Sequence, residues 1–245
     1  MMKISCCIPC DFGHMIHLEK AINSINKSEF LPLEICISIS KAPEYFSPEY
    51  LNVLSSIPIH IRICKEKKNA AQNRNILTQM ASGELLAYQD ADDLIHPSRL
   101  KLINHVFDTK KIVHLNTGFI PHRTNDLDIM SVSSVSLDQM VFVDLSKYHA
   151  SIFNRGLESG YRTKDYGYFN NINFIERKGY MANGPVAVLK QIAEKVRWKE
   201  DTKEIKIAED QDFNYDVYYQ YNLSGLISNP LYFYNLSDRK FGGMT

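Results

Sequence analysis

The stretch that decides the fold is "ASGELLAYQDADDLIHPSRL", residues 81–100. Gly83 stops whatever helix precedes it, and "ELLAYQ" (84–89) then reads as a short, fully apolar strand. The strand runs straight into Asp90, Asp92 and Asp93, three carboxylates in four positions. Like charges at that spacing repel by about 1 kcal/mol per pair even in water, and by more where water is excluded. A positive partner is therefore expected at that end of the strand. Pro97 next suits the first position of a helix, and Leu100, Ile103, Val106 and Phe107 give that helix one apolar face.

The same alternation extends outward on both sides. "KISCCIP" (3–9) reads as a buried strand ending at Pro9, followed by a helix with Leu18, Ala21, Ile22 and Ile25 on one face. "LEICISI" (33–39) is a second strand. "IHIRIC" (59–64) is a third, with Ile59, Ile61 and Ile63 alternating against polar residues as in a half-exposed strand. "NAAQNRNILTQMASG" (69–83) is the helix that Gly83 closes. Strand and helix thus alternate to about residue 115, which predicts an α/β fold: a mostly parallel sheet flanked by helices on both faces. In such sheets ligands bind beyond the carboxyl ends of the strands, where the aspartates fall.

From residue 116 the alternation weakens. Two polar stretches rich in Ser, Asn, Gly and Tyr predict long loops or an irregular insertion, a usual place for binding function. "VAVLKQIAEKVRW" (186–198) returns to strand and helix, and "EIKIAEDQDFNYDVYYQYNL" (204–223) offers a short strand, a second acidic cluster and an aromatic helix. Phe213, Val217, Tyr218 and Tyr221 share one face of that helix, and "LISNPLYFYNL" closes the series as a strand.

Composition bounds the function classes. Of 245 residues, 44% are hydrophobic and 23% charged, which suits one domain with a sizeable core. The 28 basic and 28 acidic residues balance, giving no electrostatic case for nucleic acid or an anionic membrane as the main partner. No run of 18 apolar residues suggests a membrane span, and "MMKISCCIP" lacks the apolar region of a signal peptide, so a cytoplasmic location is expected, leaving room for peripheral membrane contact. Cys6, Cys7, Cys10, Cys36 and Cys64 lack metal-ligand spacing and read as reduced thiols on or beside strands. Cys6 and Cys7, being adjacent in a strand, should face opposite sides of the sheet.

Carboxylate oxygens such as those of "DADD" are hard donors suited to Mg²⁺ or Mn²⁺, ions that one or two side chains hold while phosphates and water complete the shell. A solvated turn capping the next helix explains the same residues. In the second cluster, Glu209, Asp210 and Asp212 open the aromatic helix, where its dipole favours an ionised carboxylate. A general base needs that state, although a preference of acidic residues for helix starts accounts for the cluster too. His96 and His114 are read as structural.

The ordered set "SCCIPCDFGH", "NAAQNRNIL", "ASGELLAYQDADDLIHPSRL" and "NGPVAVLKQIAEKVRW…AEDQDF" resembles a family 2 glycosyltransferase with the GT-A fold, over residues 3 to about 220. Arg74-Asn75, Ala81-Ser82-Gly83-Glu84 and Asp90-Ala91-Asp92-Asp93 followed by Pro97 are the most specific parts. The resemblance implies one GT-A (Rossmann-like) domain over 1–245, with a nucleotide-binding half (1–115) and an irregular acceptor-binding half (116–245). It implies inverting transfer of a sugar from a nucleotide-diphosphate donor to an acceptor hydroxyl on a glycan, lipid-linked or protein substrate, as in surface polysaccharide or glycoconjugate synthesis. By carry-over, Pro9, Asp11 and Arg74 lie by the nucleotide and Asp90 by its ribose or base. Asp92, with Asp93, holds the divalent metal (Mn²⁺ or Mg²⁺). Asp210 is the general base, Glu209 contacts the acceptor, and Asn183-Gly184 lies under the donor sugar.

Two departures matter. The family commonly closes the second strand with an Asp pair that reads the nucleobase, where this chain has Ser38, Ser40 and Lys41. Many relatives supply a histidine near the C-terminus as a metal ligand, where this chain offers Ser237 or Asp238. These gaps are the sequence support for a rival reading, a binding module that grips a nucleotide sugar without turnover. A nucleotidyltransferase ranks third, because "IPCDFGHMIH" holds only Gly13 where a Gly-rich phosphate loop belongs.

Overall fold

The structure is a computed structural model that describes residues 1–122, 133–147, 185–201 and 209–235. Strands β1 (Ile4–Asp11), β2 (Glu34–Ser40), β3 (Ile59–Cys64) and β4 (Leu85–Tyr88) lie in the order β3-β2-β1-β4, all parallel. Helix α1 (Met15–Asn26) crosses from β1 to β2 and α2 (Ala70–Met80) from β3 to β4, a short 3-10 helix at Glu49–Leu54 lies between β2 and β3, and α3 (Arg99–Thr109) follows the turn after β4. The face residues expected of α1 and α3, Leu18, Ala21, Ile22 and Ile25 with Leu100, Ile103, Val106 and Phe107, are all buried. All of them but Ala21 share one core cluster with Ile4, Cys6, Ile8 and Cys10 on one side of the sheet. Cys7, Leu86 and Tyr88 pack with Ala71 and Leu77 of α2 on the other. Cys6 and Cys7 thus do face opposite layers, and each buried aliphatic side chain contributes about 1.5–3 kcal/mol to the assembly.

Strands β5 (Leu94–Ile95), β6 (His114–His122), β7 (Phe142–Asp144), β8 (Val186–Leu189) and β9 (Ser224–Asn235) continue the sheet as β4-β8-β6-β9-β5, with β7 also pairing β9. Here the pairing is mixed. β8 runs antiparallel to β4 and β6, and β6 runs parallel to β9. Helices α4 (Lys190–Val196) and α5 (Glu209–Tyr221) join α2 on its face through Ile192, Ala193, Phe213 and Val217. The β6 to β9 register shifts on either side of Gly118. A Cβ there would come within 2.6 Å of the Ser228 and Asn229 carbonyls, so the bulge requires glycine. The short strand expected near residue 204 lies outside the described residues, as does most of the expected irregular region.

The sequence ends the first strand at Pro9, but β1 continues to Asp11. Proline is tolerated because the β4 ladder has already stopped at Cys7↔Tyr88, while β2 alone accompanies β1 from Pro9↔Ser38 to Asp11↔Ser40. β1 thus runs on past the β4 ladder, and the space beyond the carboxyl ends of these strands, the crevice in which open α/β sheets bind their ligands, is where the site lies.

Candidate active site

One wall of the crevice is the end of β1. Asp11 accepts a hydrogen bond from the Gly13 N–H (3.0 Å) and pairs with Lys41 Nζ at 2.8 Å. Burial pushes its pKa up, but Lys41 and the Gly13 amide outweigh that and hold the carboxyl below its ordinary value. Lys41 follows β2 with φ of 58°, a left-handed conformation unusual for a side chain of this size. It stands where the resemblance leads one to look for acidic base-reading residues. Pro9 is buried opposite Ser38 of β2. Burial first, then the charges of Asp11 and Asp92, raise the Cys10 thiol to about 12, so Asp11 and Asp92 act on one point from two elements.

The other wall is the turn after β4. Gln89 Nε2 donates to the Asp93 carbonyl (2.9 Å), the Asp93 N–H to the Asp90 carbonyl (3.2 Å), and the Asp90 N–H to Tyr232 Oη (2.9 Å). Asp93 is fully buried, and its Oδ1 accepts from the Asn235 N–H at 2.7 Å. Burial, then Asp92 and Asp90, push its pKa well above the ordinary carboxylate value. Asp93 is held towards the neutral form, Asp90 is bridged by an arginine, and Asp92, half-buried, sits between them in the chain.

That arginine is Arg74, the internal cation that the acidic turn demands. α2 starts at Asn69, which caps the Gln72 N–H (2.8 Å) while Gln72 Oε1 accepts from the Asn69 N–H (3.0 Å). One turn on, three successive polar residues are all buried. At about 100° per residue they fan around the helix. Asn73 Oδ1 accepts from Ser38 Oγ on β2 (2.9 Å), and Asn75 brackets the backbone of Trp198 (3.0 and 2.8 Å). Arg74, 3% exposed, donates from one terminal nitrogen to Asp90 Oδ1 and from the other to Glu209 Oε1, both at 2.9 Å. Its guanidinium lies 4.7 Å from the Trp198 ring centroid, and Trp198 stacks on Phe213 of α5 at 3.9 Å. Burial works against the Arg74 charge, but Asp90, Glu209 and Asp210 outweigh it and hold it firmly protonated.

Asp210 follows Glu209 at the start of α5 and accepts from the Gln211 N–H at 2.8 Å. The helix dipole leads one to expect an ordinary ionised carboxylate. Instead burial, then the Glu209 and Asp90 charges, lift its pKa to about 6, with Arg74 and the Gln211 amide pulling the other way. Asp210 therefore titrates just below neutrality, where a proton acceptor works best. Beneath it, Asn214 donates to the Asp210 carbonyl and meets His114 Nε2, whose Nδ1 faces Ser224 Oγ at 3.0 Å. His114 is structural, as is His96, which accepts from the Ser98 N–H and contacts the Ser133 carbonyl.

The structure thus brings Asp90, Glu209, Asp210 and Arg74 together, with Asp92 in the adjoining turn and Asp11 across the crevice. Asn183, Gly184, Ser237 and Asp238 lie outside the described residues. Sequence reading missed Trp198, Tyr232 and Asn235, which frame the acidic groups, and Arg99. The latter is fully buried at the start of α3, with its guanidinium 5.5 Å from the Tyr232 ring. That Trp198 is the chain's sole tryptophan was the one available signal. Among the described residues no group of three His, Cys, Asp or Glu side chains is placed to cage a metal. The turn does fit an ion held by one or two carboxylates with phosphate oxygens completing its shell.

A parallel half-sheet whose crevice gathers an acidic turn and a late acidic helix start defines a GT-A, Rossmann-like domain. The chain belongs to glycosyl transferase family 2, whose family model matches residues 17–166. Among solved structures, S. aureus TarS (residues 1–349) superimposes with a TM-score of 0.63 at 16% identity, covering 96% of this chain and 60% of that one. Its complex with UDP-GlcNAc gives 0.64 at 16%, covering 98% and 60%. The mannosyltransferase PcManGT from Pyrobaculum calidifontis, in complex with GDP-Man and Mn²⁺, gives 0.59 at 13%, covering 98% and 58%. The chain therefore spans about three fifths of the length of these structures. No curated protein sequence matches it. No helix among the described residues is long and apolar enough to cross a membrane.

Proposed function

We propose that this chain is an inverting, metal-assisted glycosyltransferase that moves a sugar from a nucleotide-diphosphate donor to an acceptor hydroxyl. The observation that carries the reading is the Arg74 bridge, which joins the turn after β4 to the start of α5 and so puts both acidic clusters on one crevice. The UDP, UDP-GlcNAc and GDP-Man with Mn²⁺ bound by the solved relatives support a donor of this class.

In this reading the nucleotide lies over the end of β1, with Pro9 and Asp11 beneath it and Asp90 at its ribose or base. Asp92, backed by the buried Asp93, would hold Mn²⁺ or Mg²⁺. When bound, such an ion offsets the charge that grows on the departing diphosphate. Asp210 takes the proton of the acceptor hydroxyl as that oxygen attacks the anomeric carbon from the side opposite the diphosphate, which inverts the centre in one displacement. Its pKa near 6 leaves it mostly ionised at neutral pH yet basic enough to accept. Glu209, 30% exposed, has surface left to meet the acceptor, and Gly184 would lie under the donor sugar. The chain acts as one catalytic domain in the cytoplasm, with 1–115 serving the nucleotide and 116–245 the acceptor. The acceptor is a glycan, lipid-linked or protein substrate of surface polysaccharide or glycoconjugate synthesis.

Calorimetry with UDP and GDP, each with and without Mn²⁺, tests the metal assignment. Asp92→Asn is expected to abolish the gain in affinity that Mn²⁺ gives the intact protein. The same gain in the variant would remove Asp92 from the ligand set.

A further inference from the structure

We propose that Arg74 is a positioning residue, a buried fork that sets the base-bearing end of α5 against the turn after β4, and that it does this in place of contacting nucleotide. The inference rests on the reading of Asp210 as the base and adds a second residue to that same site.

Geometry carries it. Both terminal nitrogens of Arg74 are committed, one to Asp90 and one to Glu209, and the residue is 3% exposed. One face of the guanidinium lies on Trp198. Trp198 is fixed on three sides: stacked on Phe213, edge-on to Tyr88 at 5.2 Å, and clamped through its backbone by Asn75, the residue after Arg74. The following segment is pinned as well, by Lys199 to Asp216 of α5 (2.7 Å) and by Asn69 to the Glu200 carbonyl (2.8 Å). α2 and α5, 135 residues apart at the Arg74–Glu209 contact, are thus joined by a rigid set of planes and charges. An arginine is needed because its planar fork reaches two carboxylates at once, whereas a lysine ammonium is a point charge that serves one well.

The groups that face Asp210 are Glu209 on its own helix, Arg74 from α2 and Asp90 from the turn. His114 of β6 reaches only its backbone, through Asn214. Two of the three facing groups are anions, and both are ion-paired to Arg74. Removing the fork would leave Asp210 beside two unpaired carboxylates. Removing Glu209 would leave it with a less shared cation.

The test needs no substrate. The full chain is labelled at the aspartate carboxyl carbons with ¹³C and titrated by NMR between pH 4 and 8, with Asp210→Asn identifying the resonance. In Arg74→Gln the Asp210 titration is expected to move up by about 1 pH unit or more, and in Glu209→Gln to move down by about half a unit or more. Because Arg74 also holds Asp90, calorimetry with UDP and GDP is read on Arg74→Lys, which keeps the charge beside Asp90 and should show affinities within about threefold of the intact protein. An unmoved Asp210 titration together with tenfold weaker nucleotide binding would overturn the proposal in favour of a nucleotide contact. Should Arg74→Gln not fold, Glu209→Gln and Arg74→Lys decide. An unmoved Asp210 in the first, or weaker nucleotide binding in the second with Asp210 unmoved, overturns the proposal equally. Near-normal turnover of Asp210→Asn would instead sink the base assignment, and it leaves these titrations readable.

Discussion

Each end of the parallel half-sheet buries acidic groups, and the two ends treat them differently. At the amino end, Glu34 opens β2 and is 4% exposed. Its Oε1 accepts from Ser5 Oγ (2.6 Å), the Ser82 N–H (2.6 Å) and Ser82 Oγ (2.8 Å), while Oε2 meets His60 Nε2 at 3.3 Å. The Gly83 N–H closes the ring onto Ser5 Oγ, and a Cβ at residue 83 would lie 2.6 Å from that same oxygen. Burial raises the Glu34 pKa, but these donors together hold it below the ordinary value. At the carboxyl end, Asp90, Glu209 and Asp210 share one buried guanidinium, and burial with mutual repulsion lifts Asp210 instead. One carboxylate with a surplus of donors is a closed structural joint. Several carboxylates with a deficit of donors form a site with affinity left over for a cation or a proton.

The contrast is broken most directly by substitutions at the two ends. Asp210→Asn should lower turnover by about 10² to 10⁴, the contribution of a positioned base, while leaving UDP or GDP binding intact and the melting temperature unchanged or higher. A comparable fall in nucleotide affinity would show that Asp210 serves binding. Glu34→Ala should do the reverse. It strands the buried Ser5 hydroxyl and takes the acceptor from the part-buried Ser82 amide, while the Ser82 hydroxyl, on an exposed residue, turns to water, at a loss of about 3 kcal/mol. For a chain of this size that corresponds to about 6 to 12 °C in Tm, with turnover per folded molecule retained. An unchanged Tm would mean that water replaces the carboxylate without loss.

Much of this was legible in the sequence, for a specific physical reason. Periodicity states which face of an element is buried, so the α1 and α3 faces and the opposed Cys6 and Cys7 follow from spacing alone. It does not state what a buried polar residue meets when its partner is distant in the chain. Asp90 meets Tyr232, and Asp93 meets Asn235, across 142 residues each. Arg74 on an exposed helix would simply be solvated, and only the packing of α5 and Trp198 over α2 makes it a buried fork. The Pro9 ending failed because proline breaks a two-sided ladder, and the sequence does not reveal that β1 has lost one neighbour there. Asp210 stays mostly ionised at neutral pH, but the helix dipole does not set its pKa, because the dipole acts with a fraction of a charge whereas burial and two nearby carboxylates act with more.

The smallest effects are the most diagnostic, because the two ends should respond to acid with opposite signs. Asp210 is lifted from 3.8 to about 6, so between those values the folded chain holds a proton that the unfolded chain has released. Its contribution to stability is therefore greatest at low pH and declines as pH rises through 6, by at most about 1.4 kcal/mol per unit. Glu34 is held below its ordinary 4.5. Its contribution is fully present above 4.5 and is lost as pH falls through its lowered folded-state value. Asp93, lifted like Asp210, adds slope of the same sign as Asp210, so total stability blends all three and each must be isolated by difference. Urea unfolding from pH 4 to 7 on the intact chain, Asp210→Asn and Glu34→Gln separates them. The stability advantage of the intact chain over Asp210→Asn should shrink as pH rises. Its advantage over Glu34→Gln should grow up to about pH 5 and then stay flat. Two differences sloping the same way would show that one of these carboxylates sits in the opposite kind of environment from the one its neighbours define.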